Sequence, residues 1–113
     1  MKKAILYLEH ILQECEYIVK TSKGLEFEDF DKNETLIRAF TRSLEIIGEA
    51  TKNIPKEFKE KYSEIPWKEI AGMRDVLIHE YFDVNHITLW ETINQDIPML
   101  QEKIEEILKA EKQ

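Results

Sequence analysis

Arginine, histidine and tyrosine side chains occur within eight residues in the stretch RDVLIHEY, as Arg74, His79 and Tyr81. A guanidinium can hold phosphoryl oxygens and offset the charge that develops in the transition state of phosphodiester cleavage. An imidazole can take a proton from a ribose 2′-hydroxyl or return one to the leaving 5′-oxygen. These residue types therefore suit RNA cleavage, and the scheme requires no metal ion and no other cofactor.

The spacing restricts how these side chains could meet. On a regular helix Arg74 and Tyr81 lie nearly in line, about 10 Å apart along the axis, whereas His79 points roughly 140° away from Arg74. Either the helix ends near His79 or a second copy of the chain completes the site, and we expect some of both. In-line attack needs a base and an acid, which a two-fold dimer would supply by placing two copies of His79 in one cleft. Asp75, four residues before His79, could accept a hydrogen bond from the imidazole and orient it.

The same spacing also fits ordinary surface residues near the C-terminus of a helix, where the helix dipole favours Arg and His. Short motifs of this kind match by chance. The pattern alone therefore leaves two classes of protein open. One is an RNA-cleaving enzyme, and the other is a noncatalytic helical module that binds a nucleotide.

Length and composition predict one helical domain over residues 1–113. Three Gly and three Pro, against abundant Glu, Lys, Leu and Ile, favour helices over a turn-rich β fold. Cys15 is alone, so no internal disulfide can form, and no His, Cys, Asp and Glu cluster has the spacing of metal ligands. Without a long apolar span or a signal-peptide cleavage site, we expect a cytoplasmic protein that makes no membrane contact.

The apolar periodicity predicts an all-α protein, an up-and-down four-helix bundle with short extra helices and a kinked C-terminal helix. Its expected segments are an amphipathic helix over residues 4–19, a short helical turn around 25–30, a helix over 34–54, one or two turns over 56–61, a helix from Pro66 that carries the motif, and an apolar seam over 87–107.

Several residues are expected to begin, end or bend these helices. Gly24 is placed to close the first helix, and Asn33 to cap the next long one. Asp83 and Asn85 are capping candidates for the last helix. Pro98 lacks the amide hydrogen that would bond to the carbonyl of Asn94, so we expect a kink there.

The formal net charge of −7 argues against a broad, nonspecific nucleic-acid surface. The charges are uneven, however, and residues 34–79 carry eight positive and eight negative side chains. Within that stretch Lys52, Lys56, Lys59 and Lys61 outnumber the acidic residues around them. If RNA binds, we expect it to bind there.

Polar residues at helical spacing also form a stripe on the helix over 34–54, opposite its apolar face. The stripe consists of Arg38, Arg42, Glu45 and Glu49. It fits a solvated, self-paired surface, and it also fits a border of the catalytic cleft. Gly48 in this helix predicts close packing against a neighbour, because glycine otherwise costs a helix about 1 kcal/mol.

The remaining aromatic and histidine residues suggest no further site. The tryptophans and the phenylalanine of the helical faces fit core or dimer contacts better than base-stacking platforms, and the two other histidines fit surface or capping positions. These residues are Trp67, Trp90, Phe40, His10 and His86.

The motif RDVLIHEY, with its R-x4-H-x-Y form, occurs together with LEIIGEATKNIP at 44–55, IPWKEIAGMRD at 65–75 and WETINQDIPML at 90–100. In this combination and order, the chain resembles the HepT-like group of the HEPN superfamily over nearly its whole length. The resemblance implies an α-helical, homodimeric, metal-independent RNase that is the toxin of a type VII-like toxin–antitoxin pair.

The resemblance also implies a role for each motif residue. Arg74 would clamp the phosphate, His79 would act as acid and base, and Tyr81 would be the residue to which the antitoxin transfers AMP. That antitoxin would be a minimal (MNT-type) nucleotidyltransferase, and the substrate would be an RNA such as a tRNA or an mRNA. An adenylylated Tyr81 would place a phosphate where the substrate phosphate should bind.

Overall fold

The computed structural model describes residues 2–73, 75, 78–80 and 83–112, of which residues 2 and 78–80 are described by their backbone only. These residues form a helical bundle around one apolar core, which confirms the predicted all-α class. The helices are α1 (Lys2–Ser22), α2 (Phe27–Asp31), α3 (Glu34–Lys52), α4 (Lys56–Lys61), α5 (Trp67–Ala71), α6 (His86–Glu91) and α7 (Ile97–Glu111).

The first helix buries the face that its periodicity predicts. Every third or fourth residue is inaccessible to solvent, namely Ala4, Leu8, Ile11, Cys15 and Ile18. Gly24 closes α1 with a φ of 76°, a backbone conformation that a residue with a Cβ atom rarely adopts. The short helix α2 follows and buries Phe30 against Phe40 of α3, with ring centroids 6.1 Å apart.

The second long helix begins where the sequence predicts. The side chain of Asn33 accepts a hydrogen bond from the amide of Leu36 at 3.1 Å, so one of the free amides of the first turn is satisfied. The buried face of α3 includes Ile37, Phe40 and Leu44. The core therefore lies between α1, α3 and α7.

The C-terminal helical run bends through a π-helical turn. Asn85 caps α6 by accepting a hydrogen bond from the amide of Thr88 at 3.0 Å. Residues Thr92–Asp96 then form a π-helix, and the amide of Ile97 bonds to the carbonyl of Thr92. Pro98 is the second residue of α7 and has no amide hydrogen to donate to the helical turn before it. The irregularity expected at Pro98 is thus a π turn just before it.

The C-terminal helix runs antiparallel to α1. Lys112, which follows α7, bonds to Glu9 in the first half of α1 at 3.1 Å, whereas Glu105 lies close enough to act on Cys15 further along α1. Among the described residues, no helix is long and apolar enough to cross a membrane.

The helix predicted from Pro66 through the motif is interrupted at Gly72 and does not reach His79, since Met73 and Asp75 are still helical but a strand begins at Ile78. Helix α5 ends at Ala71, and residues Ile78–Glu80 form a strand, β1, that pairs antiparallel with β2 (Asp83–Val84). Asp83 therefore belongs to β2 and does not cap α6. Gly72 ends α5 because glycine has little helix propensity, and Ile78, at the start of β1, is a β-branched residue that favours extended backbone.

Candidate functional site

The motif lies in a segment where the chain changes from helix to strand. Arg74 and Tyr81 lie outside the described residues, and of His79 only the backbone is described, in β1. Because the chain is no longer helical at Ile78, the angle of roughly 140° that a continuous helix would impose between Arg74 and His79 does not apply. The predicted roles of Arg74, His79, Tyr81 and Asp75 remain predictions.

The chain that leads into the motif is held against α3 by a close backbone contact. A Cβ atom added to Gly48 would lie 3.0 Å from the carbonyl oxygen of Ala71, the last residue of α5. Only glycine allows this approach without displacing Ala71. The close packing predicted at Gly48 is therefore confirmed, and it fixes the chain three residues before Arg74.

A second contact holds the other end of α5 to α4. The indole of Trp67 donates hydrogen bonds to the backbone carbonyls of Lys59, at 3.1 Å, and Tyr62, at 3.0 Å. Phe58 of α4 is fully buried beside this contact. Trp67 itself is buried, which confirms the core position predicted for it.

Helices α3, α4 and α5 enclose a groove of about 530 Å³ that we call the lysine groove. It lies beside the Trp67 anchor and extends to the end of α5. Its lining residues are Lys52, Lys56, Lys59, Glu60, Ser63, Trp67, Lys68 and Ala71. Three of the four lysines predicted to attract RNA thus line one groove, together with Lys68, which the sequence did not single out.

The fourth predicted lysine, Lys61, does not line this groove. Its ammonium donates to Glu111 of α7 at 2.8 Å, and the hydroxyl of Tyr62 donates to the same carboxylate oxygen. The hydrogen bond from Lys61, and then that from Tyr62, lowers the pKa of Glu111. The same bonds raise the pKa values of Lys61 and Tyr62, so all three groups keep their ordinary charge states at neutral pH.

The far side of α5 borders a second groove of about 430 Å³, which we call the methionine groove. It lies between α5 and the helical run of α6, the π turn and α7. Its lining residues are Pro66, Glu69, Ile70, Met73, Thr88, Thr92, Asp96, Met99, Leu100 and Lys103. Half of these side chains are apolar, and the charged ones are Glu69, Asp96 and Lys103, so this groove has no excess of positive charge, whereas the lysine groove is cationic.

Two residues of the polar stripe of α3, Arg38 and Glu49, pair with residues outside the stripe. Arg38 bonds to Glu34 at 2.7 Å, and Glu49 lies 3.6 Å from Lys52. Arg42 is exposed and Glu45 is partly exposed. These exposed pairs stabilise the fold little, and whether Arg38, Arg42, Glu45 and Glu49 border a cleft stays a prediction.

Other polar and aromatic residues are structural. His86 begins α6 and bonds to Asp31 of α2 at 2.8 Å, a partner 55 residues away that sequence spacing does not reveal. Trp90 packs against Phe30 with ring centroids 5.0 Å apart, so it contributes to the core as predicted.

Cysteine and metal chemistry offer no alternative site in the described ranges. Burial, with smaller effects from Glu14, Glu16 and Glu105, raises the pKa of Cys15 to about 12, so its thiol stays protonated and unreactive at neutral pH. No group of three or more His, Cys, Asp or Glu side chains in the described part of the chain could hold a metal ion.

Comparison with known proteins places this architecture in a family. Residues 11–107, which include the motif, both grooves and most of the core, match the family model described as "Ribonuclease HepT-like". No solved structure matches significantly.

Three known relatives align with the chain over most of their length. A protein of Caldanaerobacter subterraneus subsp. tengcongensis named "Putative RNase" is 63% identical over 112 residues, which is 99% of this chain and 100% of that protein. A protein of Thermococcus cleftensis named "Probable ribonuclease HepT" is 48% identical over 103 residues, covering 91% of this chain and 94% of that protein. A protein of Methanocaldococcus jannaschii, also named "Putative RNase", is 48% identical over 107 residues, covering 95% and 87%.

The family model spans most of the chain, and the relatives align with it nearly end to end. Both comparisons assign the chain to the same family, and the all-helical fold is consistent with that family. The chain belongs to the HepT-like ribonuclease family.

Proposed function

We propose that this protein is a ribonuclease that cleaves RNA without a metal ion. Arg74 binds the scissile phosphate and offsets the charge of the transition state. His79 takes the proton from the ribose 2′-hydroxyl, which attacks the adjacent phosphorus, and a second imidazole returns a proton to the leaving 5′-oxygen. The products are a 2′,3′-cyclic phosphate and a 5′-hydroxyl. Asp75 orients the imidazole of His79.

The second imidazole comes from a second copy of the chain. Each chain supplies one histidine within the motif, and a two-fold axis through the cleft brings two motifs to one substrate. The functional unit is therefore a homodimer, and Arg38, Arg42, Glu45 and Glu49 border its cleft.

The cell controls this activity by modification of the motif. The protein is the toxin of a toxin–antitoxin pair in the cytoplasm, and a nucleotidyltransferase antitoxin transfers AMP to the hydroxyl of Tyr81. The added phosphate, two residues from His79, repels the substrate phosphate and blocks its binding.

The observation that carries the proposal is the R-x4-H-x-Y motif at residues 74–81 within a family match that covers residues 11–107. Two features of the described residues support it. The helix ends before His79, so a continuous helix does not hold Arg74 and His79 roughly 140° apart. A cationic groove lies beside the chain that enters the motif.

The proposal is tested by cleavage of RNA with purified, unmodified protein in the presence of EDTA. We expect the wild type to cleave, and we expect Arg74→Ala and His79→Ala to lose at least about 100-fold in rate, since each removes a transition-state interaction. Circular dichroism should show that both variants remain folded. Growth arrest on expression should be lost in both variants.

A noncatalytic module that docks a nucleotidyltransferase is the alternative. It predicts no cleavage by any form, or equal growth arrest by wild type and variants. Sedimentation separately tests the dimer, because a mass near 13.5 kDa at micromolar concentration would contradict the shared cleft. Mass spectrometry of protein coexpressed with the antitoxin should find one or more AMP units on the peptide that contains Tyr81.

A further inference from the structure

The lysine groove has a local charge opposite to that of the whole molecule. Four of its lining side chains are lysines and one is a glutamate, whereas the chain carries a formal net charge of −7. A polyanion is therefore repelled by most of the surface and attracted to this groove. Such a contrast steers an anionic ligand to one place.

Most of these lysines are available to a ligand. Among the described residues, Lys56, Lys59 and Lys68 make no ion pair, while Lys52 lies 3.6 Å from the exposed Glu49. Lys61, the neighbouring lysine that is held by Glu111, is absent from the lining. The groove thus collects lysines from three helices, and those without an ion pair among the described residues come from α4 and α5.

The groove also extends towards the motif. Ala71 is one of its lining residues and precedes Arg74 by three positions in the sequence, and three residues of extended chain span at most about 11 Å. The Gly48 contact fixes Ala71 in place. A short stretch of RNA is long enough to follow the lysines and reach the motif, since phosphates of one strand are spaced by about 3.4 Å along a helix axis.

We infer that the lysine groove binds the phosphate backbone of the RNA substrate on one side of the scissile bond. This inference rests on the proposed function and adds the surface by which substrate is held. Lys52, Lys56, Lys59 and Lys68 each contact phosphate oxygens as point charges, without reading sequence. The groove therefore accepts RNA of any sequence, and selection of the cleavage position occurs elsewhere.

The test measures the salt dependence of binding to a fluorescent single-stranded RNA with 2′-O-methyl groups, which cannot be cleaved by 2′-hydroxyl attack. One variant replaces the groove lysines Lys52, Lys56, Lys59 and Lys68 by Gln. A matched control variant replaces four exposed lysines outside the groove, Lys3, Lys20, Lys23 and Lys109. Both variants lower the net charge by four. Circular dichroism and single Lys→Gln variants exclude a folding defect.

We expect the groove variant to lose on the order of 10- to 100-fold in affinity at 0.1 M salt, and the slope of log K against log salt to fall by about 3. Each single substitution should lower the slope by about 0.7. The control variant should lose less than about 3-fold. Equal loss of affinity in both variants, or no RNA binding by the wild type, would overturn the inference. Binding of polyglutamate as tight as that of RNA would also overturn it, and would identify an acidic protein as the partner.

Cleavage of unmodified RNA separates this inference from the function on which it rests. If the wild type binds RNA through the groove but cleaves none, the proposed ribonuclease activity is contradicted and the RNA-binding role of the groove is supported. If the groove variant cleaves as fast as wild type at subsaturating RNA, the RNA-binding role of the groove is contradicted and the proposed ribonuclease activity is supported.

Discussion

The two grooves on either side of α5 differ in chemistry although they share one short helix. The lysine groove takes Trp67, Lys68 and Ala71 from α5, whereas the methionine groove takes Glu69 and Ile70. Adjacent residues of a helix point about 100° apart, so five residues suffice to divide a cationic surface from an apolar one. We therefore expect the side of α5 that a ligand contacts, and not the net charge of the chain, to determine which ligand binds.

The largest effect is expected from substitution of Phe58, the fully buried residue of α4. Phe58→Ala should lower the free energy of unfolding by about 3–5 kcal/mol, because Phe58 is fully buried and its removal leaves a cavity. Helix α4 carries Lys56 and Lys59, so RNA affinity should fall as well. Urea denaturation measures the first effect. Met99→Ala in the other groove is the control and should change stability by less than about 0.5 kcal/mol.

The close contact of α3 with α5 should matter more for activity than for stability. In Gly48→Ala the gain of about 1 kcal/mol in helix propensity offsets part of the clash with the carbonyl of Ala71. The displaced Ala71 shifts the chain that enters the motif, so RNA cleavage should fall by about 10-fold or more.

A matched control exists for this substitution at the end of the same helix. A Cβ atom at Gly72 would lie 3.6 Å from the carbonyl oxygen of Lys68, an ordinary van der Waals contact. Gly72→Ala should therefore retain most of the cleavage rate. Equal loss of rate in both glycine variants would contradict a specific role for the Gly48 contact.

A pair of charge changes on α5 tests the division between the grooves. Lys68→Glu reverses a charge in the lysine groove and should weaken RNA binding by about 10-fold at 0.1 M salt. Glu69→Lys adds positive charge to the methionine groove and should strengthen binding by less than about 3-fold. Fluorescence anisotropy measures both. Effects of equal size would show that net charge, and not the groove, controls binding.

The smallest effect is expected at the ion pair of Lys61 with Glu111, which lies outside the lysine groove. The pKa of Glu111 is lowered in the folded state, so its interactions stabilise the protein above its ordinary pKa of 4.5 and are lost as the pH falls through the folded value. Glu111→Gln should therefore lower stability slightly at pH 7 and make it less dependent on pH below 4.5, without weakening RNA binding.

The interactions of Lys61 and Tyr62 with Glu111 should also lose their contribution to stability at alkaline pH. The pKa values of Lys61 and Tyr62 are raised, so their contribution is present below about pH 10 and is lost as the pH rises through their folded values. Unfolding curves of the wild type and Glu111→Gln at both ends of the pH range measure these effects. A wild-type curve identical to that of the variant would contradict them.

The sequence predicted the long helices well because local signals determine them. Apolar residues at three- and four-residue spacing defined the buried face of α1, and the caps at Asn33 and Asn85 needed only their own side chains and the next turn. The same information failed further along the motif, where Met73 and Asp75 are helical as predicted but Ile78–Glu80 form a strand. There the helical pattern competes with Gly72 and with residues that favour strands, and the pairing of β1 with β2 decides between them.

The groove was only partly predictable because its residues come from distant parts of the chain. A run of lysines indicated the region, but Lys68 joins it from another helix, and Lys61 lies outside it, bonded to Glu111, 50 residues away. Such pairs cannot be read from spacing along one helix. The motif residues themselves were identified from their types and order alone.

The most direct test of the account is cleavage of a short RNA, compared with the same sequence carrying 2′-deoxy nucleotides, by purified protein in EDTA. If Arg74 and His79 promote attack by the 2′-hydroxyl, the RNA is cut to products with 2′,3′-cyclic phosphate ends and the deoxy substrate stays intact. Equal cleavage of both substrates, or cleavage of RNA that requires added magnesium, would contradict it.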